Sequence, residues 1–182
     1  MSRRDTQAEL TLPVGERDHA RGPADAPVTL VEYGDYECPH CGHAYPIVKQ
    51  IEQRLGRRLR FVFRNFPLRE SHPHAQHAAE AAEAAGAQGK FWEMHDRLFE
   101  RQFALDDDNL VEYAGDLGLD AARLRSELAA RVYEPRVRED FRSGVASGVN
   151  GTPTFFVNGA RHDEGWELEP LPAALERAAK AT

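Results

Sequence analysis

Apolar positions along the chain switch repeatedly between a strand-like and a helix-like period. Residues 26–35, "APVTLVEYGD", alternate and are rich in Val, as a buried strand would be. From Pro39 the spacing turns helical. Ile47, Val48, Ile51 and Leu55 fall on one stripe, Gly56 is the expected stop, and Pro46 is expected to kink the helix. "LRFVFRNF" (59–66) predicts a second strand.

A helical block follows. An Ala-rich segment runs from His72-Pro73 to about Gly89, and Phe91, Met94, Leu98 and Phe99 mark one face of the next helix. Asp107 or Asp108 is expected to cap a third, which carries Leu110, Val111, Ala114 and Leu117 and ends at Gly118. Asp120 should cap a fourth, with Leu124 and Leu128 inside. After Pro135 comes a longer helix whose stripe is Val137, Phe141, Val145 and Val149. "TPTFFVNGARH" (152–162) then reads as a hairpin about Asn-Gly, and "LPAALERAAKA" as a closing helix.

Composition narrows the functional classes. The chain has 182 residues, enough to bury a core without staples, and its apolar (41%) and charged (29%) shares fit a globular protein. A net charge of -7, with no Lys/Arg block, argues against a nucleic-acid partner. No window approaches the roughly 18 apolar residues of a spanning helix, so the protein is not expected to span a membrane. "MSRRDTQAELTLPVGERDHARG" has two arginines but no apolar run behind them, so it does not read as a secretory signal. The expected location is therefore cytoplasmic, or periplasmic or extracellular if a signal was removed. In the cytoplasm a disulfide is more often catalytic than structural.

Both cysteines lie in "LVEYGDYECPHCGHAY", at Cys38 and Cys41. Spaced i, i+3 at a helix start, they share one face and lie near enough for a disulfide. Cys38 would sit where free N–H groups and the helix dipole stabilise a thiolate, with Pro39 at the first helical position. His40 can add a donor or a positive charge, and Cys41, one turn deeper, is the natural resolving thiol. Two other readings compete. A zinc site needs about four ligands, but Cys38, His40, Cys41 and His43 crowd too closely on one helix to surround an ion. Inert packing is the third possibility. C-x-x-C before a helix in a strand–helix–strand context favours redox chemistry.

"CPHC", the upstream "VTLVEYGDYE" and the downstream "GTPTFFVNG" resemble the DsbA-like branch of the thioredoxin superfamily, from about Asp25 to Lys180. The order strand–helix–strand, helical block, hairpin–helix agrees. The resemblance implies an α/β thioredoxin fold with a helical insertion. Residues 1–24 would form an N-terminal arm, 25–69 and 132–182 the thioredoxin-like domain, and 70–131 the inserted helices. It further implies dithiol–disulfide exchange with no cofactor beyond a Cys38–Cys41 disulfide. A cis Thr152-Pro153 peptide would face the pair, with Thr152 binding an incoming peptide in strand fashion. Glu32 matches a buried acid that serves the resolving thiol; its raised pKa would let it accept and return a proton. Some relatives pair that acid with a lysine on the next strand, where this chain has Arg60 and Arg64. Pro46 matches a structural helix proline.

Other features are discounted. His72, His74 and His77 are explained by a helix start, and "DDDNL" lacks the glycine and glutamate of a calcium loop. "GKFWEMHDRLF" reads as core, with a secondary possibility that its aromatics line a peptide groove. The Pro-His pair between the cysteines is typical of strongly oxidising members, about -120 mV for DsbA against about -270 mV for thioredoxin. In a reducing cytosol such a couple would rest reduced and act as a reductase or isomerase; after export it would donate disulfides. Expected partners are disulfide-containing proteins or peptides and an unidentified thiol or quinone-linked redox protein. Outside redox chemistry, a metal-binding protein or a peptide-binding holdase remains as an alternative.

Overall fold

The computed structural model describes residues 7–167 and 169–181. In chain order the elements are β1 (His19–Arg21), β2 (Val28–Gly34), α1 (Pro39–Leu55), a 3₁₀ turn (Gly56–Arg58) and β3 (Leu59–Asn65). Helices α2 (Ala75–Ala87), α3 (Phe91–Glu100), α4 (Asp107–Asp116), α5 (Ala121–Ala129) and α6 (Glu134–Ala146) follow. The chain closes with β4 (Thr154–Val157), β5 (Ala160–His162) and α7 (Pro170–Lys180). The five strands form one sheet in the order β1-β3-β2-β4-β5. β2 and β3 are parallel, joined through α1; the other pairings are antiparallel.

Strand alternation decides which side chains face which layer. Leu30, Phe61, Phe63 and Phe155 join the large core with Val48, Ile51 and Leu55 of α1, α3, and Leu171 and Leu175 of α7. Val31, Tyr33, Val62 and Phe156 point the opposite way, into a smaller cluster with Phe66 and Val149 that Leu10, Val14 and Phe141 partly cover. Helices α2–α5 are threaded between β3 and α6. α2 is their centre: seven of its alanines are buried, and small side chains let helices approach on several sides.

Of the N-terminal arm expected over residues 1–24, residues 1–6 lie outside the described residues and the described part pairs with the sheet. Leu10 N–H donates to Gly159 O (2.8 Å), Arg161 N–H to Ala8 O (2.8 Å), and His19–Arg21 add an edge strand to β3. Backbone pairing holds this segment, so no apolar alternation announced it. The cap of α4 is Asp106, whose carboxylate accepts from Asn109 N–H; Asp107 and Asp108 fall in the first turn. The buried face of α6 is Val137, Asp140, Ser143 and Gly144, while Val145 is exposed and Val149 lies past the helix end. Asp140 faces inward because it accepts from the Asn65 backbone N–H (3.0 Å) and pairs with Arg136, and Gly144 because Phe66 and Tyr33 pack against it. Pro46 lies inside α1, as expected.

Candidate active site

β2 delivers the chain to the tip of α1, and Asp35 shapes the turn between them. Its Oδ1 accepts from Glu37 N–H (2.8 Å), and its Oδ2 from Leu68 N–H (2.9 Å) and His72 Nδ1 (2.8 Å). Its carbonyl accepts from Cys38 N–H (3.2 Å), and its own N–H donates to Cys41 Sγ (3.4 Å). One buried residue thus braces the sulfur-bearing turn on both sides. Cys38 is the N-cap of α1, with extended dihedrals, and Pro39 opens the helix. Gln102, from the turn after α3, donates through Nε2 to Tyr36 O (2.9 Å) and Cys38 O (2.7 Å). Gly42 makes room for this, since a Cβ there would overlap the Gln102 amide.

Both sulfurs are free thiols; Cys38 is 4% exposed and Cys41 0%. Across from them the Thr152–Pro153 peptide is cis, and Cys38 Sγ lies 3.5 Å from Thr152 O. The two thiols are pushed apart in acidity. A hydrogen bond from Cys41 is the largest influence on Cys38 and overrides burial. With the N–H groups of Cys41 and His40, it lowers the Cys38 pKa from 9.0 to about 5. Burial pushes the Cys41 thiol well above 9.0, helped by its donation to Cys38 and by the negative charge of Glu32. This division follows from placement: the N-cap sulfur sees unpaired N–H groups, whereas the sulfur one turn deeper sees core.

Glu32 is buried on β2, level with Phe63 on one side and Phe155 on the other. Burial, then the charges of Cys38 and Glu52, push its pKa to about 8, against a smaller opposing pull from Arg21. Its Oε1 has no hydrogen-bond partner among the described residues. Neither arginine of β3 supplies a cation to it. Arg60 is half-buried, and Arg64 faces the other layer, where its guanidinium pairs with Asp18 (2.8 and 2.9 Å). Arg21 of β1 carries that influence instead, held by Glu52 (2.8 Å) and stacked 4.3 Å from the Trp92 ring.

Of the other residues singled out in the sequence, Pro39 and His40 are exposed, and His40 acts on Cys38 through its backbone N–H rather than its ring. Phe91, Met94, Leu98 and Phe99 are buried, Phe99 against Tyr36 and Phe63, so they form core rather than a groove lining. Sequence reasoning missed Asp35, His72, Gln102 and Arg21. The sequence marks His72 only as a helix-start residue. Burial opposes its charge, but the bond to Asp35, the charge of Asp35 and that of Cys38 together raise its pKa. An aspartate three residues before the first cysteine could have suggested a turn brace; nothing local marks Gln102 or Arg21. No convergence of three His, Cys, Asp or Glu suited to a metal occurs among the described residues.

A thioredoxin family model matches residues 15–177. The chain belongs to the thioredoxin family. It is similar over most of its length to solved structures of the same architecture. BdbD from Bacillus subtilis superposes with a TM-score of 0.85 at 24% identity, covering 96% of this chain and 99% of that one. A thioredoxin-like oxidoreductase from Silicibacter pomeroyi gives 0.77 at 29% identity, covering 92% and 95%. Among curated proteins, the chain is 50% identical over 175 residues to the Na(+)/H(+) antiporter NhaA 1 of Salinispora arenicola. That match takes in 96% of this chain but 27% of the antiporter, so the chain spans about a quarter of the relative's length.

Proposed function

We propose that this protein is a thiol–disulfide oxidoreductase that exchanges the Cys38/Cys41 couple with disulfides of proteins or small molecules. The opposed acidities of two thiols one helical turn apart carry this reading. The Cys38 thiolate attacks a substrate disulfide, forming a mixed disulfide and expelling one substrate thiolate. Cys41 then loses its proton, with Glu32 as acceptor, and attacks Cys38 Sγ. The second substrate thiolate leaves as the Cys38–Cys41 disulfide forms, so two electrons pass to the substrate and no cofactor is needed. The reverse sequence oxidises a dithiol. Thr152 holds the substrate backbone in strand fashion beside Cys38. The likeness to an oxidoreductase at 29% identity over 92% of the chain supports the same chemistry.

Direction follows redox poise. At pH 7 a thiol ionising at about 5 instead of 9.0 stabilises the reduced form by about 3 kcal/mol, equivalent to about 60 mV towards an oxidising couple. In a reducing cytosol the couple rests as the dithiol and serves as a reductase or isomerase, whereas in an oxidising compartment it donates disulfides. The decisive experiment follows insulin reduction and adduct formation. Cys38→Ser should abolish turnover and Cys41→Ser should accumulate covalent substrate adducts; residual turnover in Cys38→Ser would sink the assignment. The equilibrium potential against a glutathione buffer sets the direction: near about -120 mV supports an oxidase, below about -220 mV a reductase.

A further inference from the structure

Asp35 is sealed inside the turn that carries both sulfurs. The residue is 1% exposed, its N–H reaches Cys41 Sγ (3.4 Å) and its carbonyl accepts from Cys38 N–H (3.2 Å). A buried carboxylate this near a second anion disfavours that anion unless its own charge is balanced. Among the described residues one side chain bonds it: His72 Nδ1 lies 2.8 Å from Asp35 Oδ2. The other two bonds to the carboxylate come from the backbone N–H groups of Glu37 and Leu68, which carry no net charge.

The ring is held there by its own chain. His72 N–H donates to Leu68 O (2.9 Å), and His74 N–H to Glu37 Oε2 (2.6 Å), so the connection from β3 to α2 is pinned against the tip of α1. Burial opposes a charge on the ring, but the bond to Asp35 and the negative charges of Asp35, Cys38 and Glu37 raise its pKa above 6.5. Arg69, Glu70 and His74 on its own segment are exposed. Resting on the exchange reading above, we propose that His72 is a positioning residue for the sulfur chemistry: its imidazolium neutralises the Asp35 carboxylate and so lets Cys38 stay ionised beside it. Linkage makes the effect reciprocal, since the Cys38 thiolate must raise the His72 midpoint by as much as the imidazolium lowers that of Cys38. Oxidation to the disulfide removes the thiolate and, with it, that part of the His72 shift.

The test titrates the Cys38 thiolate by its absorbance at 240 nm in wild type, His72→Asn and His72→Lys. Asn keeps a neutral donor for Asp35, whereas Lys keeps the charge. His72→Asn should raise the Cys38 midpoint by about one unit, a tenfold change in the thiol–thiolate equilibrium, and His72→Lys should stay near the wild type. A second measurement needs no variant. The His72 ring, followed by NMR in the wild type, should titrate about one unit lower in the disulfide form than in the dithiol form. An unmoved midpoint in His72→Asn, equal shifts in both variants, or one His72 midpoint in both redox forms overturns the proposal. Neither titration needs a substrate, so a wild type that reduces no insulin disulfide would overturn the exchange reading while these two measurements still decide the role of His72.

Discussion

The largest single influence on the Cys38 thiolate is the Cys41 hydrogen bond, so Cys41→Ala is the most informative perturbation. A hydrogen bond to a charged group contributes about 1.5–3 kcal/mol, or about one to two pKa units. Starting from about 5, Cys38 in Cys41→Ala should ionise near 6–7. The thiolate fraction at pH 7 would fall from about 99% to between about half and nine-tenths. Cys41→Ser retains an O–H donor and should stay much closer to the wild type. Thiolate absorbance at 240 nm, titrated against alkylated protein, reads the midpoint directly; the wild-type Cys41 does not interfere, because burial holds it well above 9.0. Stability must follow with a defined sign. A depressed pKa stabilises the reduced fold fully above pH 9.0, and that contribution declines as pH falls and vanishes below about 5. Denaturation of reduced wild type should therefore show a slope between pH 5 and 7 that flattens in Cys41→Ala. A midpoint in Cys41→Ala within half a unit of the wild type, or an equal shift in Cys41→Ser, would refute the assignment of this bond.

Glu32 carries the opposite sign: a pKa raised from 4.5 to about 8 adds stability below 4.5 that is lost as pH climbs through 8. Glu32→Gln should accordingly stabilise the protein at pH 7 by about 3 kcal/mol in urea denaturation, while slowing mixed-disulfide resolution and removing a titration near pH 8 from that step. Gly34→Ala drives a methyl group into the Phe63 ring and close to Glu32 Oε1, and should cost about 1–3 kcal/mol; an unchanged denaturation midpoint would show that the ring gives way freely. Asp18→Ala strands the buried Arg64 guanidinium and should cost about 3–5 kcal/mol by the same assay, unless water reaches Arg64.

Local pattern carried much of the fold. Alternation marked β2 and β3, helical spacing and caps marked α1 and the inserted helices, and Asn158-Gly159 marked the final hairpin. α6 shows where that reasoning stops. Its apolar stripe runs through Val145 and Val149, but the chain buries Asp140 and Gly144, because a charge already paired with Arg136 and a contact needing no side chain are invisible to hydropathy.

The site divides along the same line. Cys38 and Cys41 share a helix turn by spacing alone, and their position after a strand identifies the N-cap sulfur. What raises Cys41 and Glu32 is burial, which is non-local, with Phe63 and Phe155 flanking Glu32 on the neighbouring strands; Cys38 is lowered chiefly by its local neighbours Cys41 and His40. Acidity depends on solvent exclusion and neighbouring charge. The sequence alone therefore placed the two sulfurs and their order along the helix, and tertiary packing decided that Cys41 and Glu32 hold their protons and that Arg21 rather than Arg64 acts on Glu32.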